Sequence, residues 1–441
     1  MKATSWRVPG ADIKRWVLLI AAGLILTCLS VTFAVDNYSK GIQFTVCMTV
    51  LALLGAASVL LGIKALVGSL LSALKYTKIN TFNPEGLSSL LNEKRILVKG
   101  PKIVAIGGGT GLSTMLRGLK QYSSNLTALV TVADDGGGSG VLREDLGMLP
   151  PGDIRNCILA LANTEPIMQQ LLQYRFHDGM LKGQSFGNLF LAAMDGISDS
   201  FEEAVKKMSD VLAVTGTVLP ITLDDVRLCA ETDSGKTILG EFNIGHRDSF
   251  DTSNIERVYF NQQNVKPLNE AIEAIMEADI VVLGPGSLYT SIIPNLLVDG
   301  VCEALQKTKA IIVYVCNVMT QPCETQGYTL SDHIKAIEIH TRKGIIDFCI
   351  VNTASIPEEL KERYLLDGAE LVEVDSDIVE KMGIELITGD FKAINNNLIR
   401  HDSNKLAKKL IELVSELVLA RDKDRMLDYY YARERLNTQI K

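Results

Sequence analysis

Lys102-Ile-Val-Ala-Ile-Gly-Gly-Gly-Thr-Gly-Leu-Ser113 decides the fold of this chain. An apolar β-type run leads into four glycines within five positions, and a helical pattern follows over residues 112–121. A glycine turn between a strand and a helix lets backbone N–H groups approach a ligand, and the start of the helix favours an anion. The segment predicts a phosphate-binding turn, with tight strand–helix packing as the alternative reason for the glycines. The candidate ligand-binding residues are Gly107, Gly108, Gly109, Thr110, Gly111 and Ser113.

A regular alternation of strand-type and helix-type patterns follows this turn. Continuous apolar runs of strand length recur at residues 126–132, 279–283, 310–315 and 348–351. Such runs are buried on both faces, as in a parallel sheet covered by helices. The sequence therefore predicts an α/β protein with a Rossmann-like, doubly wound, mostly parallel sheet in a nucleotide-binding domain over residues 101–441.

Residues 217–260 interrupt the alternation. Three strand-type segments, at residues 217–222, 237–244 and 257–260, follow one another without a helical pattern between them. They predict an antiparallel, β-rich insert or an extension of the main sheet.

Two uncharged stretches of twenty residues, 16–35 and 44–63, precede the α/β region. Twenty helical residues rise about 30 Å, the thickness of the hydrocarbon layer of a bilayer. Both exceed the roughly 7–15 apolar residues of a signal peptide. They predict two transmembrane helices in an anchor of residues 1–75, or one uncleaved anchor with an interfacial second helix. Residues 76–100 mix Asn, Pro, Gly, Ser and charge, which predicts a linker.

Charge separates the two regions of the chain. The first 80 residues hold eight Lys or Arg and two Asp or Glu, a net charge of +6, which leaves −14 for the remainder of a chain whose total is −8. Basic residues flank the two apolar stretches, so both ends are predicted to lie in the cytoplasm, in a multi-pass protein of the cell membrane. An acidic globular region is a poor partner for nucleic acid, and its ligand is predicted to be a small molecule.

The eight cysteines include no C-x-x-C pair, and most of those beyond the anchor have apolar neighbours. They are predicted to be reduced core residues in the cytosol, without structural zinc. The five histidines show no metal-ligand spacing, and no motif of a covalent nucleophile is evident.

A second acidic and glycine-rich segment, Ala133-Asp-Asp-Gly-Gly-Gly-Ser-Gly140, follows the second strand. Because ligands bind at the carboxyl ends of strands in open α/β sheets, we expect it to face the same crevice as the first turn. Asp134 is a candidate partner of ribose hydroxyls. Asp135 and Asp153 are a candidate pair of Mg²⁺ ligands. The alternatives are a turn role for the first two residues and a helix cap for Asp153.

A third turn, Gly284-Pro-Gly-Ser287, repeats the pattern of a buried strand, glycines and a helix start. It predicts another site for a phosphate or a hydroxyl-rich ligand, through Gly284, Gly286 and Ser287. Two such turns imply a ligand with more than one phosphate.

Three isolated polar residues are weaker candidates. Asn188 and Asn317 are placed to hydrogen bond with a base or a sugar, or to serve in a turn or a cap. Arg400 is a candidate phosphate ligand, or the partner of a surface acid.

Six ordered motifs together resemble the gluconeogenesis factor family, the YvcK-type branch of the CofD-like proteins. They cover roughly residues 101–415 and are Gly107-Gly-Gly-Thr-Gly-Leu-Ser113, Thr131-Val-Ala-Asp-Asp-Gly-Gly137, Pro150-Pro-Gly-Asp-Ile-Arg-Asn156, Gly187-Asn-Leu189, Gly284-Pro-Gly-Ser-Leu-Tyr-Thr-Ser291 and Val315-Cys-Asn-Val-Met-Thr-Gln-Pro322. The resemblance implies a Rossmann-like fold, UDP-sugar binding, UDP-N-acetylglucosamine being one example, and a link to cell shape and cell-wall synthesis on gluconeogenic carbon sources. It also suggests a homodimer and contacts with cell-wall synthesis proteins.

The chain departs from the family pattern in three places. Gly136-Gly-Gly-Ser-Gly140 has one hydroxyl fewer than the usual Gly-Gly-Ser-Ser-Gly, and Gln321-Pro-Cys-Glu-Thr325 has Cys where Gly is frequent. The N-terminal hairpin is the third departure, since we expect most family members to lack it.

Two functions follow from the resemblance. The first is a membrane-tethered, cytosol-facing regulator that binds a nucleotide sugar. The alternative is a magnesium-dependent transferase of the 2-phospho-L-lactate type, as in the distant CofD relatives.

Overall fold

The computed structural model describes residues 11–36, 42–75, 97, 100–247 and 253–421. The chain divides into two compact units, Met1–Leu91 and Asn92–Lys441. The predicted connection between the apolar stretches and most of the predicted linker lie outside the described residues.

The first unit is a pair of helices, α1 (Ala11–Asp36) and α2 (Ile42–Lys75). Small residues let them approach closely: a Cβ atom on Gly23 would lie 2.8 Å from the carbonyl oxygen of Gly55. Within α2, Phe44–Ala65 is long and apolar enough to cross a membrane, with a mean hydropathy of 2.4. Within α1, Leu18–Ala34 is a shorter apolar helix.

The second unit is built on a seven-stranded sheet in the order β10-β9-β8-β7-β1-β2-β3. All its strand pairs are parallel. The strands are β1 (Ile103–Gly107), β2 (Leu126–Val130), β3 (Thr217–Pro220), β7 (Ile280–Leu283), β8 (Ile311–Val315), β9 (Phe348–Asn352) and β10 (Glu385–Gly389). The residues of β1, β7 and β8 are buried throughout, which confirms the predicted α/β class.

Helices cover the sheet and fill its connections. They are α3 (Gly109–Leu119), α4 (Gly137–Leu146), α5 (Gly152–Leu161), α6 (Pro166–Gln173), α7 (Phe186–Gly196), α8 (Phe201–Val211), α9 (Glu241–Gly245), α10 (Asn269–Glu277), a π-helical turn (Leu288–Ile292), α11 (Ile293–Leu296), α12 (Val301–Lys307), α13 (Leu330–His340), α14 (Glu358–Leu366), α15 (Ser376–Lys381) and α16 (Ser403–Arg421). The apolar side chains Leu406, Leu410 and Leu413 of α16 are buried in the core, as their helical spacing indicates.

The interruption at residues 217–260 contains both of the expected arrangements. β3 extends the main sheet by pairing in parallel with β2. A separate antiparallel sheet then forms from β4 (Leu228–Thr232), β5 (Thr237–Leu239) and β6 (Ile255–Phe260). The insert therefore begins after β3, and its central strand β4 is a strand that the pattern did not predict. An antiparallel hairpin of β11 (Lys392–Asn395) and β12 (Leu398–His401) follows the last strand of the main sheet.

The strand order places a crevice beside β1. The chain runs from β1 outward to β2 and β3, and then returns to the other side of β1 to form β7. Helices that leave β1 and β7 therefore diverge at the carboxyl ends of these two strands. Ligands of open α/β sheets bind at such a reversal of the strand order.

Candidate functional site

A cavity of about 400 Å³ lies at the carboxyl ends of β1, β7 and β8. Backbone and small side chains from the first turn, the third turn and the segment after β8 line its floor, and the hairpin β11–β12 and α14 complete its outer wall. The second glycine-rich segment, residues 133–140, was expected to face the same crevice but contributes no residue to this lining. The polar residues of the lining are Thr110, Thr114, Ser287, Ser291, Asn317, Thr320, Gln321, Tyr364, Asp367, Arg400 and His401.

The first turn presents the start of α3 to this cavity. Gly108 is extended and precedes the helix, and no side chain of its own caps the helix start. Gly109 has a φ of 65°, a left-handed conformation that favours glycine. The hydroxyls of Ser113 and Thr114 both donate to the carbonyl oxygen of Thr110, so Ser113 is a buried part of the helix and does not line the cavity. The N–H of Gly109 is directed to the carboxylate of Asp153, and the other N–H groups of a first helical turn are suited to an anion.

The third turn packs directly on the first. A Cβ atom on Gly111 would lie 2.5 Å from the carbonyl oxygen of Pro285, so only glycine permits this approach. Ser291 lies between the two turns, with its Oγ 3.7 Å from the Cβ position of Gly109. Ser287 donates its hydroxyl to Oε1 of Gln321 at 2.7 Å.

The rest of the lining comes from parts of the chain outside the glycine turns. Asn317 follows β8 and donates its side-chain amide to the carbonyl oxygen of Gly286 at 2.8 Å. The hydroxyl of Tyr364 accepts the backbone N–H of Ile399 at 2.8 Å, which fixes α14 to the strand that carries Arg400. The cavity therefore combines a glycine-lined floor with an amide, a phenol and a guanidinium on its wall.

A group of carboxylates lies next to the first turn. Burial and the neighbouring Asp134 raise the pKa of Asp153 to about 7. Burial raises the pKa of Asp134 itself. Burial, followed by repulsion from Asp134, Glu324 and other acids, raises the pKa of Glu241 to about 8. Each of these carboxylates therefore holds its proton more readily than an exposed acid does.

Asp135 is not among the groups that shift the pKa of Asp153. Its Oδ1 accepts the backbone N–H of Phe242 at 2.8 Å, at the start of α9. The acid that interacts most strongly with Asp153 is Asp134. The structure thus pairs Asp153 with Asp134, where the sequence had suggested Asp135 as the second Mg²⁺ ligand.

The carboxylates fit a magnesium ion only in part. Among the described residues, no group of three or more His, Cys, Asp or Glu side chains has the arrangement of a metal site. Mg²⁺ is often held by one or two carboxylates together with substrate phosphates and water. Asp134 and Asp153 would be these two ligands, and the ion would neutralise charge on a phosphate bound at the first turn.

The structure brings together eight of the predicted ligand-binding residues around the cavity. They are Gly108, Gly109, Thr110, Gly111, Gly286, Ser287, Asn317 and Arg400. Gly107 and Gly284 lie behind the turns, where the carbonyl oxygen of Gly107 accepts from Asn295 and the N–H of Gly284 donates to Ile106. Asn188 is buried at the start of α7 and is not part of the cavity lining.

Several lining residues were not predicted from the sequence. Ser291 and Gln321 lie in two of the quoted motifs, and this position is the sequence signal that could have identified them as lining residues. Tyr364 and Asp367 belong to the region of α14, which carries no motif, and only the folded chain brings them to the cavity.

Comparisons with known proteins agree with the fold and with these motifs. The model of a family described as 2-phospho-L-lactate transferase CofD matches residues 103–392. A Clostridium acetobutylicum protein named "Putative gluconeogenesis factor" is 49% identical over 443 residues, covering 100% of this chain and 98% of its own length. The "Gluconeogenesis factor" of Bacillus subtilis is 48% identical and covers 72% of this chain and 99% of its own length. A crystal structure of a Bacillus halodurans member of the UPF0052 family is 44% identical, with a TM-score of 0.66, covering 70% of this chain and 98% of its own.

These relatives have two different lengths. The Clostridium protein aligns along the whole of this chain, including the N-terminal helices. The match with the Bacillus subtilis protein extends over 320 residues and covers 99% of that protein, a length close to the size of the second unit. A protein of about this size therefore exists by itself in other organisms, and the N-terminal helices are shared by some relatives.

Proposed function

The chain belongs to the CofD family, among the gluconeogenesis factors. On that premise we propose that it binds a nucleotide sugar of the UDP-sugar class. We further propose that it regulates cell shape and cell-wall synthesis from the cytosolic face of the membrane. The observation that supports this most strongly is the cavity at the carboxyl ends of β1, β7 and β8. Its helix start suits a phosphate, and its amide and hydroxyl groups suit a sugar or a base.

Positive charge at the cavity supports the same ligand class. Arg400, on β12, belongs to the lining of the same cavity as Ser287. A guanidinium binds phosphate oxygens in a bidentate manner.

Membrane attachment is the second part of the proposal. The helix Phe44–Ala65 is long and apolar enough to span a bilayer, and α1 pairs closely with it. Basic residues on both sides of the pair favour a cytosolic second unit. Such a topology would place the ligand cavity on the cytosolic side of the membrane.

The test of ligand class starts from the protein as it is made in cells. Small molecules that co-purify with the full chain would be released by denaturation and identified by mass spectrometry. We expect a UDP-sugar, and we expect titration calorimetry with UDP-N-acetylglucosamine to give saturable binding. Absence of both would contradict the proposal.

A magnesium-dependent transferase is the second candidate function. The observation that favours it is the carboxylate pair Asp134 and Asp153 beside the first turn, in a family whose description names a phospholactate transferase. In that case Mg²⁺ would stabilise negative charge at a transferred phosphoryl-type group, and Asp134 and Asp153 would hold it. Phosphorus NMR of a bound UDP-sugar or phospholactate donor, with and without Mg²⁺, distinguishes turnover from binding.

A further inference from the structure

We propose that the cavity wall formed by Ser287 and Asn317 is an acceptor surface that binds a vicinal diol of the ligand's sugar, whereas the phosphate is held at the first turn and by Arg400 and Tyr364 of the outer wall. This inference rests on the proposed nucleotide-sugar function and assigns the parts of that ligand to two sides of one cavity. It follows from the direction of the hydrogen bonds around the third turn.

The helix start at the third turn already has an anionic partner inside the protein. Glu324 is buried, and its Oε2 accepts the backbone N–H of Tyr289 at 3.2 Å. Its Oε1 accepts the hydroxyl of Thr290 at 3.0 Å. The N–H groups that open the turn Leu288–Ile292 are therefore directed to this carboxylate, and a phosphate would compete with it.

Glu324 also fixes the orientation of Gln321. The side-chain amide of Gln321 donates from Nε2 to Oε1 of Glu324 at 2.6 Å. The carboxylate form of Glu324, which predominates above its folded pKa of about 7, only accepts hydrogen bonds, so the nitrogen of Gln321 faces it and the oxygen faces the other way. That oxygen, Oε1, accepts the hydroxyl of Ser287 at 2.7 Å. The proton of Ser287 is consequently directed to Gln321, and its lone pairs remain for a ligand.

Asn317 likewise uses its donor inside the protein and leaves an acceptor for a ligand. Its Nδ2 donates to the carbonyl oxygen of Gly286 at 2.8 Å, so the group that remains for a ligand is its carbonyl Oδ1. Ser287 and Asn317 follow neighbouring strands, β7 and β8, and both line the cavity. Together they offer two hydrogen-bond acceptors on one wall.

The other side of the cavity offers donors. The hydroxyl oxygen of Tyr364 accepts the N–H of Ile399, which leaves the phenolic proton available to a ligand. Arg400 is a donor by nature, and the N–H groups of α3 beyond Gly109, whose N–H is directed to Asp153, are donors as well. Donors therefore lie at the first turn and on the outer wall, beside the carboxylates of Asp153 and Asp367, whereas the groups left for a ligand at the third turn are acceptors.

A ligand must present acceptors to the donor groups of the cavity and donors to its acceptor groups. A phosphate ester at neutral pH presents acceptor oxygens, which suit the donor side and are repelled by lone pairs on the acceptor side. Two neighbouring hydroxyls of a sugar present two protons, which suit Ser287 and Asn317. The diol comes either from the ribose or from the hexose of a nucleotide sugar, and the experiment below distinguishes these sources.

The test uses titration calorimetry on the full chain in detergent micelles. The probes are UDP, UDP-glucose, and the 2′,3′-dideoxyribose analogue of each. A ribose diol at the acceptor wall predicts that both dideoxy analogues bind on the order of 10-fold more weakly than their parents, because buried acceptors lose their donors. A hexose diol predicts instead that UDP binds on the order of 10-fold more weakly than UDP-glucose and that removing the ribose hydroxyls has little effect.

Three variants separate the acceptor wall from the rest of the cavity. Ser287→Ala removes one acceptor, and the affinity ratio between diol and diol-free probes should fall toward one. Gln321→Leu frees the hydroxyl of Ser287 to point its proton into the cavity, and the ratio should fall in the same direction. Ser291→Ala is the matched control, since it removes a cavity serine outside this hydrogen-bond chain, and it should weaken all probes alike with the ratio preserved.

Two further probes distinguish failure of the inference from failure of the proposed function. If the uridine compounds do not bind but ribose 5-phosphate binds more tightly than 2-deoxyribose 5-phosphate, the acceptor wall stands and the UDP-sugar ligand is wrong. If UDP, UDP-glucose and both dideoxy analogues bind equally, the acceptor wall is wrong and the UDP-sugar ligand stands. No binding of any probe overturns both.

Discussion

The carboxylate of Asp153 lies directly against Gly108, with Oδ2 2.5 Å from the position that a Cβ atom on Gly108 would occupy. The backbone N–H of Gly109 also interacts with this carboxylate. A phosphate bound at the first turn would therefore lie close to a carboxylate. This neighbourhood is unfavourable unless a proton or a cation compensates the two negative charges.

The first prediction concerns magnesium. Without Mg²⁺, Asp153→Asn should bind UDP more tightly than the native protein, on the order of 10-fold, because a like charge near the phosphate is removed. With Mg²⁺ the native protein should gain affinity and the variant should gain little. Calorimetry in EDTA and in MgCl₂ measures both values.

Asp135→Asn is the matched control, because Asp135 bonds the start of α9 and does not face Asp153. It should retain the native response to Mg²⁺. A native protein with the same UDP affinity in EDTA and in MgCl₂ would show that Asp134 and Asp153 hold no ion beside the phosphate.

The first turn could be predicted from the sequence because its signal is local. A buried strand, four glycines and a helix are adjacent in the chain, and the glycine at position 109 has the left-handed conformation that such turns require. The choice between Asp134 and Asp135 could not be predicted, because it depends on a hydrogen bond to Phe242, 107 residues away from Asp135. Tyr364 was missed for a similar reason, since its place at the cavity depends on a hydrogen bond to Ile399 and on no motif.

The second prediction concerns the stability of the second unit, residues 92–441, as a function of pH. Asp153 and Glu324 have folded pKa values of about 7, and Glu241 of about 8, all raised mainly by burial. Groups with raised folded pKa values bind more protons in the folded state, so their stabilising contribution is complete below their unfolded pKa of about 4 and is lost progressively until the pH passes the folded values of 7 to 8.

Histidines act in the opposite direction only at lower pH. Burial lowers the pKa of His401 to about 4, so its contribution is lost as pH falls below about 6.5. Between pH 6.5 and 8.5 the carboxyl groups therefore dominate, and the melting temperature in EDTA should decrease. Glu241→Gln should reduce this slope, whereas the exposed Glu359→Gln should not. A melting temperature that rises across this window in the native unit would contradict the raised pKa values.

The third prediction concerns topology. The basic residues flanking the two apolar helices predict a cytosolic second unit. A cysteine introduced at Ser39 should react with a membrane-impermeant maleimide added to intact cells, and one introduced at Thr4 should react only after lysis. The background is a chain in which Cys28 and Cys47, both within the helices, are replaced by alanine. Reversed labelling would place the ligand cavity outside the cytosol.

The fourth prediction tests the first turn with a matched pair of glycines. Gly109 and Gly147 have φ angles of 65° and 67°, so alanine at either position should cost about 1–2 kcal/mol of stability. Gly109 lines the cavity, whereas Gly147 ends α4 with no atoms within 4 Å of its Cβ position. The two variants therefore share the same backbone strain and differ in their access to the ligand.

The most direct measurement is the affinity of UDP-N-acetylglucosamine for these two variants, by calorimetry at a temperature where both are folded. If the cavity is the nucleotide-sugar site, Gly147→Ala should bind with native affinity, whereas Gly109→Ala should lose at least about 10-fold in affinity. The methyl group at position 109 would occupy the place where the phosphate approaches the backbone. Equal affinities for the two variants would contradict phosphate binding at this turn.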